Sequence, residues 1–215
     1  MKKVLAISLL LISSATMFAQ NMSTKKLVKT FSQQMQEYKA LEVHFSYVLN
    51  NTAENIHDSQ IGKALMSNGM YRLDIGSSVI YSNGATRWTY IKNANEVSIS
   101  TPNPIEDGIL GNPTALFIID ENDYKYKLLT EITAKDVTKV EVELTPKDAT
   151  KTPYKSIILG LNKATAAPIS IKYFGTDGNN LNIAIAKFNA NVKPSTNDFV
   201  FDITKYPGVE VVDMR

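Results

Sequence analysis

Histidine and carboxylate side chains are the residues of this sequence that could support catalysis or bind a metal ion. His44 and His57 are 13 positions apart, and a histidine can act near neutral pH as an acid, a base or a metal ligand. The first is expected on the polar side of a strand and the second in a polar loop, which favours ordinary surface histidines. Asp120, Glu121 and Asp123 form an acidic cluster. The cluster lacks the glycine and the closing glutamate of a calcium-binding loop, so a solvated turn is favoured.

Signatures of other catalytic sites are missing from the sequence. It contains no G-x-S-x-G, no P-loop and no G-x-G-x-x-G motif. It also has no cysteine, which excludes disulfides, thiolate nucleophiles and zinc ribbons. No nucleophile and base stand together in a pattern that favours a lipid hydrolase. The sequence therefore predicts a protein that is not an enzyme, and it indicates no cofactor and no metal.

Aromatic and aliphatic side chains in alternating positions carry more information than the polar ones. The stretch "SNGATRWTYIKNANEVSIS" contains the only tryptophan, and its apolar residues alternate with polar ones around an asparagine-rich turn. Such alternation places every second residue on one face of a strand. We expect eight residues to face the concave side of a curved sheet, where they either line a ligand cavity or fill a core: Phe45, Tyr47, Tyr71, Leu73, Trp88, Tyr90, Val97 and Ile99.

One helix and many strands would position these side chains. From Thr24 to Tyr38 the apolar residues, Leu27 and Phe31 among them, recur at helical spacing. From Leu41 onward the period changes to two, and Asn-Gly, Gly-Ser and Asp-Gly turns separate the runs as in antiparallel hairpins. About eleven strands are expected, enough for a sheet to curl into a barrel or half-barrel.

The segment from Thr101 to Asp123 breaks the strand pattern. A loop rich in proline and glycine leads into "NPTALFII", where Asn112 can cap a short helix with Pro113 at its first position. A helix this short and apolar must dock on an apolar surface. The sequence predicts either a movable lid or a buried connector, formed by Leu116, Phe117, Ile118 and Ile119.

The N-terminus has the layout of a secretory signal peptide. Residues 1–19 run from two lysines through an apolar stretch to small residues, with cleavage expected after Ala19 or Ala15. The chain has 23 basic and 21 acidic residues, and removal of Lys2 and Lys3 leaves the mature chain balanced. A basic footprint for nucleic acid is therefore absent. Residues 20–215 have no linker or repeat, which predicts a single domain.

The order of motifs from Gly62 to Ser100 resembles the LolA family of periplasmic outer-membrane lipoprotein carriers, in its Bacteroidetes-like form. The matching stretches are "GKALMS", "MYRLDI", "VIYSNG", "RWTYI" and "NEVSIS". Asn112-Pro113 and the C-terminal "FDITKYPGVEVVDMR" are also similar to the family. Many members carry an Arg-Pro pair before the aromatic strand, whose arginine holds the lid closed. Here that turn reads Ser67-Asn68-Gly69, and position assigns the role to neither Arg72 nor Arg87.

The resemblance implies a fold of the mainly β, α+β class. It is an unclosed antiparallel β-barrel with helices as a lid over a hydrophobic cavity, in which the helical residues Leu27 and Phe31 belong to the lid. It also implies a monomeric periplasmic carrier that shields acyl chains of lipoproteins between an inner-membrane lipoprotein-releasing ABC transporter and an outer-membrane acceptor. A periplasmic binder of free lipid or a pigment precursor, and a sensor of misplaced lipid, are equally compatible with the sequence.

Overall fold

The computed structural model describes residues 24–103, 119–190 and 192–215. Helix α1 covers residues 24–37, which confirms the helix predicted from apolar spacing. Val28, Phe31 and Met35 are buried against the sheet, while Lys25 and Lys29 point to solvent. No helix within the described ranges is long and apolar enough to cross a membrane.

Within the described ranges, twelve strands follow the helix, joined mostly by short turns. The first six are β1 (Ala40–Asn51), β2 (Ile56–Ser67), β3 (Met70–Ile75), β4 (Ser78–Ser82), β5 (Arg87–Ile91) and β6 (Glu96–Ser100). The second six are β7 (Tyr124–Ala134), β8 (Val137–Pro146), β9 (Tyr154–Asn162), β10 (Pro168–Gly175), β11 (Asn180–Asn189) and β12 (Glu210–Asp213). Short 3-10 helices cover Glu121–Asp123, Ala149–Lys151, Thr196–Phe199 and Ile203–Lys205.

All twelve strands belong to one sheet, in the order β12-β6-β5-β4-β3-β2-β1-β11-β10-β9-β8-β7. Strands β7 and β12 form its two edges, so the barrel is unclosed. This confirms the predicted fold class, with one strand more than expected. One pairing is not a hairpin, since β12 pairs in parallel with β6. Hairpin signals in the sequence could not reveal a pairing that joins positions so far apart.

The main core lies on the concave face of the sheet, under α1. It combines the buried face of the helix with inward residues of β1–β3 and β7–β11, such as Val43, Leu73, Val142 and Leu159. Directly opposed residues of an antiparallel pair project to the same side, so the register extends this face from strand to strand. Leu73 pairs with Ala64 on one side and Ile80 on the other, and all three project to the concave face.

A second core lies on the opposite, convex face of β4–β6. Residues 192–209 lead from β11 to β12. Tyr206 and Phe201 of this segment pack on this face, where Phe201 is buried together with Val79, Tyr81, Tyr90 and Val97. We call residues 192–215 the C-terminal strap. Backbone hydrogen bonds from Glu210 to Asn95 and from Met214 to Ile99 fasten its end along β6. The convex face is therefore apolar wherever the strap covers it.

The predicted lid falls mostly outside the described residues. Leu116, Phe117 and Ile118 lie in the part that the structure leaves out, so the choice between a movable lid and a buried connector stays a prediction. Ile119 is described, and it is buried in the main core with Phe31 of α1. The hydroxyl of Ser32 on α1, also buried, donates a hydrogen bond to the carbonyl of Ile119.

Candidate functional site

A cavity of about 820 Å³ lies between α1 and the sheet. Two kinds of element enclose it: one side of the helix, and the ends of β7–β10 that come together beneath the helix. Its floor is apolar and its rim is polar. The helix supplies Thr24, Lys26, Leu27, Thr30 and Gln34, and the sheet with its turn supplies Leu128, Glu131, Val140, Lys163, Ala164, Thr165 and Ala166.

A tight turn between β9 and β10 forms one wall of this cavity. The side-chain oxygen of Asn162 accepts hydrogen bonds from the backbone N–H groups of Ala164 and Thr165. Ala166 has a φ of 57°, in the left-handed region that few non-glycine residues adopt. The N–H of Lys163 donates to the carbonyl of Thr138 at 2.8 Å, which ties the turn to β8. The wall is thus fixed by its own polar contacts.

A bulge in β7 positions the opposite wall. The pairing of β7 with β8 shifts by one residue between Leu128 and Thr130, so that Leu128 faces Val142 and Glu131 faces Val140. The bulge keeps Leu128 and Glu131 on the cavity side, although their spacing would otherwise put them on opposite faces. Sequence alternation cannot anticipate such a shift, and neither residue was predicted to belong to the site.

The charges of the cavity lie at its rim. The ammonium of Lys163 contacts the Glu131 carboxylate at 2.6 Å, and Lys26 adds a further cation from the helix. Val140 and Ala166 are buried at the floor. An apolar floor with a charged, hydroxyl-bearing rim suits an amphiphile whose apolar part enters first.

Four of the predicted cavity residues lie on the concave face, as expected. Phe45, Tyr47, Tyr71 and Leu73 all belong to the buried main core, but none of them lines the cavity of about 820 Å³. The ring of Phe45 lies across Gly62, so close that a Cβ atom there would be 2.5 Å from the ring. Direct contact of these four residues with a ligand stays a prediction.

Tyr47 also has a polar role at the end of the barrel away from α1. Its hydroxyl donates a hydrogen bond of 2.7 Å to Asp58. Burial, together with this bond, raises the pKa of the Tyr47 hydroxyl above its ordinary value. The same hydrogen bond lowers the pKa of the exposed Asp58 carboxyl. This contact holds Tyr47 in place and leaves little freedom for it to adapt to a ligand.

The predicted face of the tryptophan strand was wrong. Trp88, Tyr90, Val97 and Ile99 do share one face, since Trp88 pairs with Ile99 and Tyr90 with Val97. However, Trp88 of β5 is paired directly with Tyr81 of β4, and Tyr81 lies on the convex face. Directly paired residues project to the same face, so Trp88 is on the convex face as well. The aromatic strand therefore packs on the C-terminal strap and away from the cavity. The strand is apolar on this face because its side chains form part of the second core.

Aromatic contacts hold the C-terminal strap against β4 and β5. Phe201 stacks on Tyr206 with ring centroids 4.5 Å apart, and it also contacts Tyr90 at 5.4 Å and Tyr81 at 5.9 Å. The hydroxyls of Tyr81 and Tyr206 are 3.2 Å apart. Burial and this bond raise the pKa of Tyr81 above its ordinary value. The guanidinium of Arg72 lies 5.2 Å from the Tyr81 ring, a cation–π contact that gives Arg72 a role other than a lid latch.

A group of tyrosines fills the concave side far from α1. Tyr154 and Tyr173 have ring centroids 5.1 Å apart, and the hydroxyls of Tyr124 and Tyr154 are hydrogen-bonded. Burial raises the pKa of the Tyr154 hydroxyl, and burial next to Asp177 raises that of Tyr173 to about 12. The raised pKa values keep the hydroxyls of Tyr154 and Tyr173 protonated at neutral pH. The packed rings of this group close the barrel at this end.

The histidines and the acidic cluster have structural partners. His44 contacts Glu42 at 2.9 Å on the convex face, and His57 contacts the side chain of Asn50. Asp120 accepts hydrogen bonds from Asn122 and caps a 3-10 turn. Within the described ranges, no group of three or more His, Cys, Asp or Glu side chains is placed to hold a metal ion.

Comparison with models of protein families identifies the family of the chain. Residues 17–175 match the family model described as outer membrane lipoprotein carrier protein LolA, which is well over half of the chain. The chain belongs to the LolA family. No curated protein matches the chain.

Solved structures are similar to this chain at low sequence identity. An uncharacterized conserved protein from Thermus thermophilus is 10% identical with a TM-score of 0.54, covering 89% of this chain and 99% of the other. A LolA superfamily protein from Nitrosomonas europaea is 12% identical with a TM-score of 0.42, covering 83% and 98%. The lipoprotein LppX from Mycobacterium tuberculosis is 6% identical with a TM-score of 0.46, covering 81% and 100%. At these identities, the first structure shows a common fold and nothing about the ligand.

Proposed function

We propose that this LolA-family protein is a periplasmic carrier that binds acyl chains of lipoproteins in the cavity beneath α1. It takes them from an inner-membrane ABC transporter and gives them to an outer-membrane acceptor, without an enzymatic step. The observation that carries the proposal is the cavity of about 820 Å³ with an apolar floor. Ligand pockets in proteins have roughly 300 to 1,000 Å³, so the space is of the right order for a lipid.

The energetics of burial are sufficient for such a ligand. Each buried methylene contributes about 0.8 kcal/mol, so one long acyl chain contributes on the order of 10 kcal/mol. Release requires a competing state in which protein side chains fill part of the cavity. Leu27, which lines the cavity, and the predicted lid residues that precede Ile119 supply apolar side chains for this competition. The contact between Ser32 and Ile119 joins the two parts.

A periplasmic binder or sensor of free lipid is the second candidate. The rim favours this candidate because Lys26 and Lys163 place cationic groups where the anionic headgroup of a single-chain amphiphile would lie. A lipoprotein instead presents a polypeptide at the cavity mouth. The two candidates therefore differ in whether a ligand with a peptide attached binds better than a free fatty acid.

Titration of the purified mature protein with a synthetic triacylated lipopeptide tests the proposal by calorimetry. The substitution Ala164→Phe fills the cavity from an exposed position on its wall. We expect it to weaken lipopeptide binding at least tenfold, because a loss of about two buried methylenes already has this effect. The matched control is Ala85→Phe, an exposed alanine in the turn between β4 and β5, which should bind like the native protein.

The remaining outcomes decide between the candidates. Equal binding by both variants would show that the cavity beneath α1 is not the site. Binding of a free fatty acid but not of the lipopeptide would replace the carrier with the free-lipid binder. Depletion in the native host should then separate them in the cell, since only loss of a carrier leaves outer-membrane lipoproteins in the inner membrane.

A further inference from the structure

Lysines are concentrated at the end of the barrel where the cavity lies. Three of them stand in the first two turns of α1, one in the turn between β9 and β10, and one in the turn between β7 and β8. All five are exposed: Lys25, Lys26, Lys29, Lys135 and Lys163. The carboxylates on the same turns and strand ends are Glu131, which contacts Lys163 at 2.6 Å, and Asp136. This end of the protein is therefore cationic, although the mature chain as a whole is balanced.

The same end exposes two large aliphatic side chains. Ile132 is 59% exposed and Val137 is 44% exposed, and both lie at the tip of the β7–β8 hairpin. Ile132 directly follows the cavity residue Glu131, but it pairs with Lys139 and projects to the convex side. The hairpin tip therefore combines two exposed aliphatic side chains with the exposed Lys135.

We propose that this end docks on an anionic phospholipid surface, with the hairpin tip at the headgroup level and the lysines against lipid phosphates. The combination of exposed aliphatic and basic residues is what a bilayer interface accommodates. The five lysines belong to three separate elements, so they suit a surface that carries many phosphates rather than one fixed acceptor. This inference rests on the proposed function, because docking would bring the cavity mouth to the membrane from which a lipid ligand comes.

Sedimentation of the ligand-free protein with vesicles tests this inference. Vesicles that contain phosphatidylglycerol should bind the protein, and vesicles of phosphatidylcholine alone should bind it weakly. The triple variant Lys25→Gln, Lys29→Gln, Lys135→Gln spares every residue that lines the cavity. Each lysine near an anionic surface changes partitioning roughly fivefold, so we expect a loss of roughly 100-fold.

Two matched controls accompany this variant. The first is Lys125→Gln, Lys127→Gln, Lys155→Gln, which removes the same charge from exposed positions at the far end of the barrel and should leave vesicle binding unchanged. The second concerns the hairpin tip. Ile132→Thr with Val137→Thr should weaken binding to the anionic vesicles, whereas Ile61→Thr, at an 80% exposed position on the convex face, should not.

Equal binding to both kinds of vesicle, or an equal loss in the two lysine triples, would overturn the inference. Lipopeptide titration in solution keeps this failure separate from a failure of the carrier proposal. If the protein binds lipopeptide but no vesicles, the carrier stands and the lysines face an acidic protein partner instead. If it binds anionic vesicles but no lipopeptide, the docking surface stands and the carrier proposal fails.

Discussion

Removal of the Phe201 side chain should loosen the C-terminal strap without affecting the ligand site. Phe201 is 7% exposed, and its ring contacts Tyr81, Tyr90 and Tyr206 at centroid distances of 4.5 to 5.9 Å. A buried Phe→Ala substitution costs about 3 to 5 kcal/mol. Because the strap lies at the surface and Tyr206 can move into part of the space, we expect the lower end, about 3 kcal/mol. For a chain of this size, that corresponds to a fall in Tm of roughly 6 to 12 °C.

Trp88 is the natural probe for this measurement, since it is the single tryptophan and packs against the second core beneath the C-terminal strap. Urea unfolding followed by Trp88 emission should give the change in the free energy of unfolding. The native emission of Phe201→Ala should also shift to longer wavelength, because water gains access to the indole. A lipopeptide in the cavity should leave the Trp88 emission of the native protein unchanged, since the cavity and Trp88 are on opposite faces of the sheet.

The matched control is Ile203→Ala, two residues further along the strap. Ile203 is 53% exposed, and surface changes of this kind usually stay within about 0.5 kcal/mol. A loss below about 1 kcal/mol for Phe201→Ala, or the same loss for both variants, would refute the view that aromatic packing fastens the strap. A large change in Trp88 emission upon lipopeptide binding would instead refute the separation of the two faces.

Two further predictions concern the sheet itself. The hydrogen bond from Lys63 and the contact with His44 lower the pKa of Glu42 from 4.5 to about 2. A carboxyl whose pKa is lower in the folded than in the unfolded protein stabilises the fold at pH values above its unfolded pKa. The stabilisation by Glu42 is therefore lost as the pH falls from 4.5 toward 2. Glu42→Gln should flatten the stability-versus-pH curve in that window, and a curve of unchanged slope would contradict the assignment. Gly62→Ala should cost about 1 to 3 kcal/mol in the free energy of unfolding, because the new Cβ would be 2.5 Å from the Phe45 ring; an unchanged midpoint of urea unfolding would show that the ring moves freely.

Local patterns were enough to predict much of the fold. The helical spacing of Leu27, Phe31, Met35 and Tyr38 predicted α1. The alternation in β1 correctly placed Phe45 and Tyr47 on the concave face. Alternation tells which residues of a strand share a face, because successive side chains project to opposite sides. Helix and hairpin signals therefore gave most element positions, whereas the unclosed form of the barrel was expected from the family resemblance.

The alternation of apolar residues does not contain the information needed to assign the face of the β5 side chains or to locate the cavity. In β4, Ile80 and Tyr81 are adjacent and both apolar, since the main core covers one face and the strap the other. A strand with two apolar faces does not reveal which one is concave. The alternation was therefore continued across β4 onto the wrong face, and Trp88 and Tyr90 of β5 were predicted on the concave side. The cavity depends on a bulge in β7 and on the polar turn at Asn162, neither of which has a periodic signature.

The pairing of β1 with β11 sets the order in which the protein can fold as the chain is made available from its N-terminus. Strands β1 to β6 form from successive hairpins, but β7 to β10 reach them only through β11, which begins at Asn180. The wall of β7–β10 that encloses the cavity beneath α1 is therefore joined to α1 and β1 only after most of the chain is available, and such long-range pairing is slow. Until then the inner face of β1–β3 is exposed to solvent, so we expect incomplete chains to depend on protection from aggregation.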